Sequence, residues 1–189
     1  MKNIFILVFA LLCLGVKAQE NSAADIKFPV ADPSPADMVY YPLNAPKVKA
    51  DDATKPIIKI IYSRPQKKGR EIFGVLEQYG KVWRFGANES TEVKFFQKVT
   101  IGGKKIKAGT YSLFAIPDKD KWTIIVNSQT DRWGAFTYDQ SKDLVRVEVP
   151  VKTLVKPIEY FSLTFTPKEK GANLIIGWDK TQVELPIGF

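Results

Sequence analysis

From residue 57 to the C-terminus, apolar and polar side chains alternate with a period of two. Val145, Val147 and Val149 alternate with Arg146 and Glu148; Phe161, Leu163 and Phe165 alternate with Ser162 and Thr164; Val183, Leu185 and Ile187 flank Glu184 and its neighbours. That period puts one face of a strand in a core and the other in water. Segments 57–63, 110–116, 122–127 and 174–178 are richer in apolar residues and predict strands covered on both faces. Residues 93–96 and 99–101 complete the set. The connectors fit this pattern. Gly102-Gly103 suits a tight hairpin turn, because both glycines tolerate positive φ. Asp118-Lys119-Asp120 after Pro117, residues 168–171, and Asp179-Lys180 separate the later strands. Ile72, Val75, Leu76 and Tyr79 have helical spacing, but Gly74 and Gly80 restrict it to one or two turns. About eight to ten short strands joined by tight turns predict an all-β fold, a single β-sandwich of jelly-roll or immunoglobulin-like type.

The chain before these strands has another character. Lys2 followed by the apolar run 4–14 and Val16-Lys17-Ala18 reads as a secretory signal peptide over residues 1–18, cut before Gln19. The run falls well short of the roughly 20 residues a bilayer span needs. Leu12 precedes Cys13 where a lipoprotein signal needs a small residue, so Cys13 is expected to leave with the signal. Residues 19–55 read as a proline-rich arm, with Pro29, Pro33, Pro35, Pro42 and Pro46 inside it and Pro56 just beyond. Proline at this density argues against helix and central strand. Phe28, Val30, Met38, Tyr40 and Tyr41 favour partial docking over full disorder. The β-sandwich domain is then residues 56–189, in a protein that works outside the cytoplasm, periplasmic or secreted.

Composition narrows the chemistry. The chain has no histidine and one cysteine, in the signal. Serine–histidine and cysteine–histidine nucleophile pairs are excluded, as are the usual zinc sites. The formal charge is +8, and losing Lys2 and Lys17 brings it to +6. The basic residues are scattered, so neither nucleic-acid binding nor membrane insertion is expected. No cofactor or metal is implied: the Asp118/Asp120 pair is far from the six or more oxygens a calcium site requires.

One stretch reads as neither simple strand nor simple turn. It runs Y-S-R-P from Tyr62, K-G-R to Arg70, I-F-G to Gly74, then Tyr79-Gly80, V-W-R to Arg84, and G-A-N-E-S-T from Gly86. With A-G-T-Y-S-L-F at 108–114, W-T-I-I-V-N at 122–127, W-G-A-F-x-Y-D at 133–139 and W-D-K-T-x-V at 178–183, the pattern resembles a family of exported bacterial proteins. That family is catalogued as domain of unknown function 2911. D-P-S-P at 32–35 extends the likeness, which covers roughly residues 28–188. The resemblance implies export, often in Bacteroidetes-type bacteria, and one compact domain; it brings no activity or catalytic residue.

The stretch is therefore read on its own chemistry. Arg64, Arg70 and Arg84 beside Glu89 fit either an ion-pair network that orders a long loop or a seat for an anionic ligand. Trp83 would stack on a sugar ring, and Asn88 lies between them in sequence. Trp133 and Tyr138, after a polar loop, fit either packing of that loop against the sandwich or an aromatic platform, whereas Trp122 and Trp178 are in phase with core positions. Binding or envelope maintenance toward an anionic or carbohydrate ligand is the expected role. One alternative is a histidine-free hydrolase that uses Glu89 with a second carboxylate from Asp139, Asp143 or Asp179. The other is a structural partner of another envelope protein.

Overall fold

The computed structural model describes residues 26–47, 49 and 51–189. The signal-peptide reading and the start of the arm fall outside these residues. No helix of the described residues is long and apolar enough to cross a membrane. Among the described residues ten strands form two antiparallel sheets: β1 (Ala36–Tyr41), β2 (Ile58–Ser63), β3 (Thr91–Phe95), β4 (Val99–Ile101), β5 (Lys104–Ile106), β6 (Gly109–Ile116), β7 (Lys121–Asn127), β8 (Asp143–Pro150), β9 (Lys152–Lys168) and β10 (Gly171–Gly188). The six-stranded sheet has the order β1-β2-β3-β6-β7-β8 and the four-stranded sheet β5-β4-β10-β9. The sandwich read from the alternation is the observed architecture. Its core is a continuous cluster in which Ile58, Ile60, Phe95, Trp122 and Ile124 meet Phe161, Leu174, Ile176 and Trp178.

The differences from the sequence reading have local causes. β1 lies inside the stretch read as an arm; proline allows it because β1 is an edge strand, with Pro35 and Pro42 just outside its ends. Leu174–Trp178 and Val183–Ile187 are not two strands joined by a turn at Asp179-Lys180. They form one strand, β10, in which Asp179 adopts φ 51° and the pairing with β9 slips on either side of it. β9 supplies the additional residues on both sides of Asp179, so the chain there makes an irregularity of the ladder rather than a reversal. Gly102-Gly103 makes the predicted hairpin, at φ 55° and 76°. Burial on both faces holds for β6 and β7 but not for β2, whose Lys59 and Ile61 remain part-exposed on the outer face.

β6 and β7 are covered outside because residues 128–142 fold back over them. Phe114 and Ile125, paired in register, are 1% and 0% exposed although they point away from the main core. Tyr138 meets the Phe114 ring edge-on at 5.1 Å. Beside this small second core runs a polar row set by strand register: Glu92, Ser112, Asn127 and Asp143. Buried Asn127 is fully used, donating to the Asp139 carbonyl and Asp143 carboxylate and accepting from the Gln129 amide.

Candidate functional site

The long Arg/Trp-rich segment closes one end of the sandwich. Leaving β2, it pairs with β9: the Lys67 amide donates to the Glu159 carbonyl, and the Phe161 amide to the Pro65 carbonyl. Ile72 and Phe73 then turn inward between the sheets. Phe73 packs against Trp83, Trp122 and Trp178 at centroid distances of 5.9, 4.7 and 6.1 Å. Trp83 exchanges backbone hydrogen bonds with Ala115 of β6, extending the β3 side of the sheet. Residues 84–91 form a compact loop, tied by the Thr91 amide to the Arg84 carbonyl and by the Thr91 hydroxyl to the Phe85 carbonyl. Gly86 is obligatory there. Its φ is 150°, and a Cβ would sit 2.9 Å from the Ser63 carbonyl oxygen of β2.

This packing removes most of the predicted arginine-tryptophan site. Trp83 is 4% exposed and donates its indole N–H to the Gly86 carbonyl, so it cannot stack on a ligand. Sequence could not separate it from a binding tryptophan because loop membership hides that the loop turns inward. Arg64 donates to Asp37 on β1 at 2.9 Å, to the Ser162 hydroxyl at 2.9 Å and to the Phe161 carbonyl at 3.2 Å. It therefore clamps β1 to β9. Arg70 folds onto the Gln66 and Lys67 carbonyls. The Arg84 Nε is buried without a hydrogen-bond partner. Near Arg84 and Arg70 lies Glu77, whose carboxyl is pushed up to about 7 by burial, against the pull of the two guanidiniums.

The expected second carboxylates are also committed elsewhere. Asp179 pairs with Lys67 at 3.3 Å. Asp139 caps the short 3₁₀ turn Gln140–Lys142 by accepting from the Ser141 amide, and hydrogen bonding from Ser141, by its side chain first and its amide second, lowers the Asp139 pKa. Asp143 accepts from Asn127, from the Tyr138 hydroxyl at 2.5 Å and from Arg146 Nε at 2.7 Å. Tyr138 is thereby a strut rather than a platform. Partial burial, with the Asp143 carboxylate beside it, pushes its hydroxyl up to about 12.

Three predicted residues, Asn88, Glu89 and Trp133, do converge, with neighbours the sequence reading missed. Glu89 pairs in a β-bridge with Trp133, and the Gly134 amide donates to the Asn88 carbonyl, so the 84–91 and 128–142 loops meet side by side. Asn88 enables this by adopting φ 60°. Below the junction is an open cleft of about 280 Å³. Its walls carry Glu89, Ser90, Asp131 and Arg132; its floor is the outer face of β1–β3, at Ala36, Ile61, Ser63 and Glu92. Arg132 Nε is buried and unpartnered, and among the described residues no ion pair uses Glu89, Glu92, Asp131 or Arg132. The cleft thus presents three carboxylates, one guanidinium and two serines. Trp133, 62% exposed, stands beside the wall residues, and Phe136 on the same loop is 83% exposed. Among the described residues no three or more Asp, Glu, His or Cys side chains group as a metal site. Glu92, Asp131 and Arg132 were missed because a two-residue strand period and a polar loop give no sign of which loop lies over which strand.

The geometry defines a two-sheet β-sandwich with an acidic cleft roofed by two interlocked loops. The chain belongs to the DUF2911 family, described as a protein of unknown function, whose model matches residues 45–187. No curated protein and no solved structure matches it.

Proposed function

We propose that the protein is exported and binds glycans in the cleft between the 84–91 and 128–142 loops. The observation that carries this reading is an exposed tryptophan, Trp133, beside a concave surface whose Glu89, Glu92, Asp131 and Arg132 side chains enter no ion pair among the described residues. Carboxylates accept from sugar hydroxyls, the Arg132 guanidinium donates to ring and hydroxyl oxygens, and an indole face covers the apolar C–H side of a pyranose. A small free anion such as phosphate suits the cleft poorly, because three carboxylates surround its one arginine. Of the other guanidiniums offered for an anion, Arg64 and Arg70 are spent on internal bonds, and Arg84 lies near Glu77 and does not line the cleft. Export is supported by the basic, apolar and small-residue sequence of residues 1–18.

Hydrolysis is the second reading, favoured by three carboxylate residues lining one cleft. Both are tested by screening the purified protein against a glycan panel by thermal shift, since a ligand of the native state raises the melting temperature. Binding predicts a shift for at least one glycan that Trp133→Ala abolishes, with the glycan recovered intact. Recovery of cleaved glycan would move the assignment to a hydrolase using Glu89. A panel without any shift would sink the glycan reading.

A further inference from the structure

The cleft has no wall at the far end of its floor. The outer face of β1–β3 continues from Ala36 and Ser63 through Met38, Ile61 and Glu92 to a third row, Tyr40, Lys59 and Lys94. From Ser63 to Lys59 is four residues of extended strand, about 13 Å, which is longer than one sugar ring. The first part of this track is apolar and open: Met38 is 55% exposed, and Ile61 is part-exposed. The end is basic. Lys59 and Lys94 stand directly opposite each other on adjacent strands, an arrangement of like charges that costs stability. Among the described residues neither has a carboxylate within ion-pair distance. Each ammonium instead lies over an aromatic ring, Lys59 at 5.9 Å from Tyr40 and Lys94 at 5.0 Å from Phe96. Charge therefore changes sign along a single track: carboxylates at the Trp133 end, two lysines on adjacent strands at the other.

We infer that this track is one extended site for a glycan chain in which neutral and acidic units alternate. A neutral ring occupies the acidic cleft beside Trp133, and the carboxylate of a neighbouring uronic acid is held between Lys59 and Lys94. The inference rests on the glycan reading above and specifies its ligand. A chain acidic at every unit is disfavoured, because its carboxylates meet Glu89, Glu92 and Asp131.

The test measures binding of three oligomer sets by calorimetry: N-acetylated amino sugar alternating with uronic acid, the neutral amino-sugar homopolymer, and a homopolymer of uronic acid. The alternating oligomers bind tightest, with affinity rising from disaccharide to longer chains and falling with added salt. The double variant Lys59→Gln/Lys94→Gln loses about tenfold or more toward them, as expected for two charge-assisted hydrogen bonds, and is unchanged toward the neutral set. Its melting temperature is equal to or above wild type, since a like-charge pair is gone. Equal affinity of wild type and double variant for the alternating oligomers overturns the inference while Trp133-dependent binding leaves the cleft reading standing. Tightest binding of the uronic acid homopolymer overturns it as well. Absence of binding to all three sets, with Trp133→Ala silent, removes both.

Discussion

Replacing Glu77 with glutamine keeps the side chain's size and removes a charge that the fold places poorly. Burial holds the Glu77 carboxyl at about 7, against a reference value of 4.5, even though Arg84 and Arg70 favour its ionised form. A carboxyl whose pKa is raised on folding binds its proton more tightly in the native state. Its cost to stability is absent below about pH 4.5, grows as pH rises toward 7, and is complete above that. At 1.36 kcal/mol per pH unit the ceiling is about 3 kcal/mol, and the part of the carboxylate still facing water brings the effect nearer 2. Glu77→Gln should therefore be roughly 4–8 °C more stable than wild type at pH 8 and indistinguishable from it at pH 4. Thermal melts of both proteins across that range, followed by circular dichroism, make the comparison. A variant no more stable at pH 8, or equally stabilised at both ends of the range, would refute the assignment of a strained, half-buried charge at this position.

The remaining expectations concern the elements that build the cleft. Phe73→Ala empties the space among Trp83, Trp122 and Trp178 and should cost about 3–5 kcal/mol in urea unfolding. Gly86→Ala forces a Cβ against the Ser63 carbonyl at a φ alanine rarely adopts; a destabilisation below about 1 kcal/mol would contradict the close approach. Tyr138→Phe removes the hydroxyl between Asp143 and Arg146 and should cost about 1–2 kcal/mol, visible as a lower urea midpoint with an unchanged slope. Trp133→Ala, by contrast, should leave unfolding within about 0.5 kcal/mol of wild type, so any lost glycan response reports on binding.

Much of the sandwich was legible because alternation is a direct record of which residues face the core. Val145, Val147 and Val149, or Phe161, Leu163 and Phe165, have no other reading. The same code is silent where an element needs a neighbour to exist. β1 holds its place through pairing with β2 and the Arg64–Asp37 clamp, neither of which shows in a proline-flanked segment. Asp179-Lys180 has the composition of a turn, and the long β9–β10 ribbon carries it through an irregular pairing in which β9 bulges opposite. Glu89, Asn88 and Trp133 stand out in the sequence because they interrupt strand patterning with polar or bulky residues in loops, and the structure places them side by side. Trp83 was misplaced and Arg132 missed for a shared reason. Whether a loop side chain turns inward or lines a cleft depends on where the loop crosses the sheet, a long-range fact that residue spacing does not encode.

The second small core under residues 128–142 has a kinetic consequence. Because Phe114 and Ile125 lie beneath that loop, lifting it would bare two large apolar side chains and strand the Asn127 amide. A loop so fastened cannot swing freely like a lid; opening it is a sub-global unfolding step. The β7 amides should then be among the slowest in the molecule to exchange with deuterium, sharing a protection factor with the 138–143 backbone. Trp133 and Arg132 would meet their ligand from a rigid frame, so recognition should proceed with little ordering of the protein and with association rates unlimited by loop closure.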